Sequence, residues 1–445
     1  MRSWLSRSSL WLVLAVGGGS VTSPPCQAQD GWSEYRRTAD DNLITRLQAR
    51  INAGEVTPDD DESFGSLPSL LRALEIPLSS QSLVFSKTSL QMGRISPENP
   101  RAIYFNDDVY VAWVRGSPLL EIATTDPRLG AAFYTVRMNP RGIAFRREND
   151  RCLACHQLPS TQGIPGHVVR SVLTRASGTT NSLRESYVID HASPIEVRWA
   201  GWYVTGDLGG ARHRGNAFLD GDRLVPEVRP DRDDLGDDLD VSGWPTPYSD
   251  VVALMVLEHQ TQTHNVLARA NRQVLSAAAD DAQPLGQVVR RAAAEVADQL
   301  LFRGEATLEA PIRGTSGFTE EFSARGLRDA AGRSLRDFDL SRRLFRYPLS
   351  YLIDSYAFDS LDERLRQAVY RQLWRRLTGG DVAGGGNEGG DVGGDGDGGG
   401  DGDGGGDAGG GGNRLPRLSL EERLAIIEIV RATKSDLPQW WDVPR

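Results

Sequence analysis

Cys152-Leu153-Ala154-Cys155-His156 is the stretch from which the rest of the chain is read. Two cysteines three apart, with a histidine directly after the second, make the c-type haem attachment pattern. The spacing has a chemical reason. Residues i and i+3 share one face of a helical turn. The thiols of Cys152 and Cys155 can therefore reach the two vinyl groups of one porphyrin and form thioethers. His156 follows at once, placed for its imidazole to bind the iron as proximal ligand. Its other ring nitrogen then needs an acceptor, usually a backbone carbonyl, to fix the tautomer. Two other chemistries use the same cysteine spacing. A thioredoxin-like dithiol normally follows a strand at a helix start. Zinc takes four ligands, and the sequence has no second cysteine pair.

The first residues agree with export. Arg2 and Arg7 precede an apolar run from Leu10 to Val16, followed by Gly17-Gly18-Gly19. That is a charged n-region and a short h-region. The run is too short to span a bilayer. A removable signal over residues 1–28 is the expectation, with cleavage after Ala28, and it takes Cys26 with it. Cys26 as a lipid-anchored cysteine is the other reading, but Ser23-Pro24-Pro25 lacks the usual leucine and small residues before it. The remaining two cysteines both lie inside the haem pattern, so no disulfide framework is expected. The expected location is the periplasm or another exported compartment.

The chain has 445 residues, enough for two or three domains and far more than haem attachment alone requires. Its net charge is −10, and a Gly/Asp-rich tract over residues 379–413 holds eight acids and no base. Subtracting those eight from −10 leaves −2 for the rest. A body that close to neutral does not point to nucleic acid as a partner.

Periodicity divides the chain further. Leu43, Leu47 and Ile51, then Leu67, Leu70, Leu71 and Leu74, form helical stripes in an N-terminal helical segment over 29–80. Strand signals begin at about Ser82. Ala102–Phe105 and Val109–Val114 flank the turn Asn106-Asp107-Asp108, and Leu119–Thr124 and Ala131–Val136 follow. Short strands with short turns predict an antiparallel meander. Asp150 is read as the N-cap of the helix that carries Cys152. Further strands are expected at Val168-Val169, Tyr187–Ile189 and Val197–Thr205. Residues 81–220 are thus a mixed α/β haem-binding region. Residues 221–248 read as an acidic, solvated loop. A helical region spans 249–378, with a stripe Val252, Met255, His259, Val266, Ala270. Ser360/Glu363 and Ser419/Glu422 match the capping box at two helix starts. The 379–413 tract, with little to bury and much entropy to lose, is expected to be a disordered loop, and 414–445 a C-terminal helix and tail. Calcium fits neither acidic stretch: the first lacks the spaced loop with a terminal Glu, the second an aliphatic residue per turn. The fold class is α+β, an antiparallel sheet region carrying the haem motif between two helical segments.

The sixth iron ligand decides function. A methionine or second histidine closes the site and favours electron transfer; an open position favours ligand binding or catalysis. The donors available are His167, His191, His213, His259, His264, Met92, Met138 and Met255. Ile164-Pro165-Gly166 is placed to pass on the proximal side and offer a carbonyl to His156. That puts His167 on the wrong side of the ring, so a distant donor is preferred. His259 is the choice, four after Met255 on one helical face. His213, in Arg212-His213-Arg214, and Met255 are the next candidates; the flanking arginines suit haem propionates instead. Trp199, Trp202 and Tyr203 read as core at strand spacing. Ser316 in Gly314-Thr315-Ser316-Gly317 is not a nucleophile elbow, because the second glycine comes one residue early.

At Cys152–His156 the chain resembles c-type cytochromes. More broadly it resembles a family of uncharacterised secreted bacterial proteins known only as containing a cytochrome c domain. The stretches that carry the likeness are Asp150–His156, Pro165-Gly166-His167-Val168-Val169-Arg170-Ser171, Gly201-Trp202-Tyr203-Val204-Thr205-Gly206 and Glu258-His259-Gln260-Thr261-Gln262. The resemblance implies one covalent haem c at Cys152 and Cys155, with His156 on the iron, and no known activity. Unlike small cytochromes c, this chain has no methionine soon after the motif; Met255 is the first downstream. The expected function is one-electron transfer to and from a redox partner protein. The alternative is a haem enzyme or sensor with an open distal site for peroxide or a small gas. A protein whose two cysteines are only a disulfide is the reading from another class.

Overall fold

The computed structural model describes residues 34–441 except 60, 138–142, 182–185, 227–230, 281, 380–414 and 416. The expected signal at 1–28 lies outside the described residues, as do Cys26, Met138 and almost all of the Gly/Asp tract.

A six-stranded antiparallel sheet in sequence order organises the first half. Its strands are β1 (Ser82–Val84), β2 (Arg101–Phe105), β3 (Val109–Val114), β4 (Leu119–Asp126), β5 (Gly130–Arg137) and β6 (Phe145–Arg147). Alternation along each strand sends successive side chains to opposite faces. The row Tyr104, Val111, Ile122, Tyr134 lies on one face. That face packs on α1 (Leu43–Asn52) and α2 (Leu67–Ala73), burying Ile44, Leu47, Leu67, Leu70 and Leu71. Asn42 caps α1 by accepting from the Ile44 N–H at 3.0 Å. It also donates to Asp126 and to the Tyr134 hydroxyl, both at 2.9 Å, which ties that helix to the sheet.

The other face carries the row Phe105, Tyr110, Ala123, Phe133 and beside it Ile103, Ala112, Glu121, Thr135. Part of this face is covered by α4 (Val251–Ala278), the longest described helix. The chain reaches it through α3 (Asp150–His156), a loop, and two small hairpins, β7 (Arg170–Val172) with β8 (Ser186–Val188) and β9 (Phe218–Asp220) with β10 (Arg223–Val225). Around α4 lie α5 (Leu285–Leu300), α6 (Phe318–Ala324), α7 (Tyr356–Asp359), α8 (Glu363–Thr378) and α9 (Leu420–Thr433). No described helix is long and apolar enough to cross a membrane.

Helix α4 is buried on every side for most of its length, though Glu258, His259, Gln260, Thr263, His264 and Asn265 sit along it. Buried polar groups must find partners, and each of these side chains has at least one, though His264 Nε2 has none among the described residues. Asp250 caps the helix, accepting from the Val252 N–H at 2.8 Å, and also accepts from Thr315 N, Ser316 N and Ser316 Oγ at 2.8–2.9 Å. Glu258 holds the Arg198 guanidinium at 2.7 Å, with both side chains almost fully buried. Its other oxygen accepts from Trp199 Nε1.

Several expected boundaries shift, each for a local reason. Residues 197–205 are not a strand: Trp199 (φ 68°) and Gly201 (φ 82°) turn the backbone, while Trp199, Trp202 and Tyr203 are core as expected. The 221–248 segment is not wholly solvated, because Leu235, Leu239 and Trp244 join the α1–α2 core. Asn149, not Asp150, precedes α3; Asp150 is its first residue and pairs with Arg36 at 2.6 Å. The Ser419/Glu422 capping box forms, with Glu422 N to Ser419 Oγ at 3.1 Å. At the other site Asp362, not Ser360, caps the helix.

Removing one partner of a buried ion pair strands the other charge. Glu258→Ala is therefore expected to lower unfolding free energy by about 3–5 kcal/mol. The double change Arg198→Met with Glu258→Leu should lose much less. Urea titration of the three proteins checks this, and equal losses for the single and double variants would contradict it.

Candidate haem-attachment site

Strand β6 feeds α3, so the two cysteines stand on one helical turn against the half-open sheet face. Cys155 is exposed and Cys152 partly buried, and neither is in a disulfide. Burial, reinforced by the Glu148 and Glu121 carboxylates, pushes the Cys152 thiol up to about 12. A dithiol of the thioredoxin kind needs the opposite shift, because the thiolate is its nucleophile. Glu148 is fixed here by Thr135 Oγ1 at 2.8 Å and by the Arg151 guanidinium at 2.6 Å.

His156 closes the turn. Its ring lies 4.6 Å from that of Phe133, and its Nδ1 is 2.9 Å from the Gly166 carbonyl oxygen. That is the acceptor expected from Ile164-Pro165-Gly166. An N–H at Nδ1 donating to this carbonyl leaves Nε2 as the nitrogen with a free lone pair. Nε2 makes no hydrogen bond to a described residue, and the ring is partly exposed.

The carbonyl is held from three directions. Gly166 N donates back to His156 O at 2.9 Å, and Ala131 N donates to Pro165 O at 3.1 Å. Asn265 on α4 grips the next residue twice: its Oδ1 accepts from His167 N at 2.8 Å and its Nδ2 donates to His167 O at 2.7 Å. Only glycine fits at 166, since a Cβ there would stand 2.6 Å from Asn265 Oδ1 and 3.1 Å from Thr161.

Ile103, Ala112 and Ala123, only partly covered, make an apolar strip on the same sheet face. At its border Arg101 pairs with Glu121 at 3.4 Å, and both charges act on His156. Arg101 Nε is buried and has no partner among the described residues. One orphaned guanidinium donor beside an open lone pair and two thiols on one turn is a donor set that fits a haem: thioethers, an iron ligand, and a cation for a propionate.

The distal candidates are placed otherwise than expected. His259 is fully buried, its Nδ1 3.1 Å from His191 Nδ1 and its Nε2 2.7 Å from Ser350 Oγ, with its ring stacked on Phe302 at 4.1 Å. Both ring nitrogens are engaged, so in this structure His259 has a core role and does not offer a free nitrogen as the expected sixth iron ligand. His191 shares that pair. His213 is buried and accepts from Gly215 N at 3.0 Å. Met255 lies in the α4 core. His167 and His264 sit behind the clamped loop. Met92, 55% exposed, lies next to Gln91, whose Nε2 donates to Glu121 at 3.0 Å. Ser350, His259 and His191 have the order of a nucleophile relay, but all three are buried away from any substrate. Among the described residues no group of three or more His, Cys, Asp or Glu side chains is arranged to hold a metal ion.

Comparison with family models, curated proteins and solved structures gives no match for this chain. The reading therefore stands on the residues themselves. Sequence reasoning missed Asn265 and Arg101. Asn265 follows His264 without any motif, and Arg101 looks like any strand-edge arginine.

Burial holds His167, His191, His259 and His264 below the ordinary histidine range, His264 at about 3. Each takes up a proton more readily when unfolded, so stability is full above about pH 6.5 and falls with pH below it, by about 1.4 kcal/mol per pH unit for each ring. Asp108 and Glu305, pushed up to about 7 by burial, act in the opposite sense, so variants must be compared. The drop in unfolding free energy from pH 6.5 to 4 should be smaller in His264→Phe than in the parent; equal drops would contradict this.

Proposed function

We propose that this chain is an exported monohaem c-type protein that transfers one electron at a time. Cys152 and Cys155 hold the porphyrin by thioethers, and His156 Nε2 binds the iron. The observation that carries the reading is the 2.9 Å contact of His156 Nδ1 with the Gly166 carbonyl, which frees Nε2 for metal. The unpartnered Arg101 Nε and the apolar strip support it, as does the resemblance to secreted cytochrome c domain proteins. Haem, when bound, supplies the one-electron couple. The chain's residues set its surroundings. Gly166 fixes the tautomer and raises the basicity of His156. Arg101 answers a negative charge. Glu121 in turn holds Arg101 and Gln91.

A second reading, an open distal site that binds peroxide or a small gas, draws on one observation: His259, His191 and His213 already have hydrogen-bond partners. Among the described donors Met92 is the exposed one.

The chain expressed with a haem maturation system should keep haem on a denaturing gel and gain the mass of one haem. Cys152→Ala with Cys155→Ala should abolish both signals. A protein with the mass of its amino acids alone would end the proposal. Carbon monoxide then separates the two readings: an unchanged low-spin spectrum means a closed site, a shifted spectrum an open one. Gly166→Ala should keep the thioethers and raise the high-spin fraction by loosening His156.

A further inference from the structure

Beneath the attachment site lies a cluster of aromatic and polar side chains that has no part in holding a cofactor. Tyr110 on β3 is buried, and its hydroxyl oxygen is 2.9 Å from His264 Nδ1 on α4. Gln260 Nε2 donates to the same hydroxyl oxygen at 2.9 Å and to Asn106 O at 2.7 Å. Gln260 Oε1 accepts from the Tyr351 hydroxyl at 2.6 Å, so its amide is held in one orientation. Gln260 donates to the Tyr110 oxygen, and the Tyr110 proton can be given to His264 Nδ1 in the tautomer that carries the ring proton on Nε2. That Nε2 is buried and unpartnered among the described residues. The ring also lines a cavity of about 20 Å³, room for one water, shared with Thr125, Asp126 and Asn271.

This arrangement suits one chemistry. Taking an electron from a phenol makes its proton far more acidic than an imidazolium, so the proton passes to an imidazole already in contact with it. Oxidation is then feasible only if the proton leaves at the same time to a base already in hydrogen-bond contact. His264 is neutral through burial, hence able to accept, and the nearby Asp107 carboxylate favours its protonated form.

We propose that Tyr110 and His264 form a proton-coupled redox pair. On one-electron oxidation the O–H bond of Tyr110 breaks and an N–H bond forms at His264 Nδ1. Tyr110 becomes a neutral tyrosyl radical and His264 an imidazolium. The electron goes to a one-electron oxidant of the trivalent ruthenium polypyridyl or peroxide-oxidised haem class at the Cys152–His156 surface, and re-reduction returns electron and proton together. Aromatic contacts link the two places: Tyr110 to His167 at 4.7 Å, His167 to Phe133 at 6.4 Å, and Phe133 to His156 at 4.6 Å. Coupling to a haem rests on the peroxide reading proposed above, because a ferric c-type haem is too weak an oxidant for a phenol; the pair itself does not.

The test uses the full chain made without haem, with Cys26→Ser and Cys152→Ser, and a ruthenium polypyridyl complex attached to the exposed Cys155. Flash-quench oxidation to trivalent ruthenium places the oxidant at the attachment surface. A neutral tyrosyl radical should appear in electron paramagnetic resonance and transient absorption, forming more slowly in heavy water. Tyr110→Phe should lower its yield about tenfold or more. His264→Phe, with circular dichroism and melting checked, should lower its yield by a similar factor, and His264→Gln should fall between, because the amide oxygen accepts the hydrogen bond but not the proton. A radical that survives Tyr110→Phe, or one whose yield ignores folded His264→Phe, overturns the proposal. Haem staining of matured protein is read separately, so either idea can fail alone.

Discussion

The carbonyl of Gly166 faces His156 because Asn265 holds the following residue to helix α4. A loop of breakers after a one-turn helix has many conformations of similar energy, and entropy favours all of them over one. Two hydrogen bonds between the Asn265 amide and the His167 backbone, and one from Ala131 to Pro165, remove that freedom. The imidazole then has one acceptor at a fixed position. A motif that sets only the spacing of three side chains becomes an oriented ligand through a residue more than a hundred positions downstream.

The same helix explains why so much of the chain is needed to complete its interior. Helix α4 lies in the interior with a row of polar side chains, and each requires a partner from another part of the chain. Glu258 reaches Arg198 and Trp199. His259 reaches His191 and Ser350. Gln260 reaches Asn106, Tyr110 and Tyr351, and Asn265 reaches His167. Low dielectric strengthens these bonds and makes any unpaired member costly. The sheet and the C-terminal helices supply the partners, so the two halves are bound by directional contacts as well as by apolar area. Burial keeps His167, His191, His259 and His264 neutral, which makes them hydrogen-bond donors and acceptors at once.

Much of this was legible. The meander from Ser82 to Val136 follows from alternation and short turns, and the stripes of α1 and α2 from their period; the sixth strand, Phe145–Arg147, carries no alternation signal. The Ser419 box formed because both of its partners lie within four residues. The failures share one cause. Val197–Thr205 has strand composition, yet Trp199 is turned to φ 68°, where it packs its indole and reaches Glu258. His259 sits on the expected stripe, but a stripe says only which face is buried, not which neighbour occupies it.

By itself the sequence determined that Cys152, Cys155 and His156 share one helical turn, the order of sheet and helices, and the near-neutral body. Those depend on residue type and on spacings of a few residues, which local geometry converts directly into shared faces. The tertiary structure alone decided that Asn265 clamps the loop, that Arg101 borders the site with an unpaired donor, that His259 is taken up by His191 and Ser350, and that Tyr110 meets His264. Each of those joins residues far apart in the chain, and a hydrogen bond between distant residues leaves no period or motif behind it.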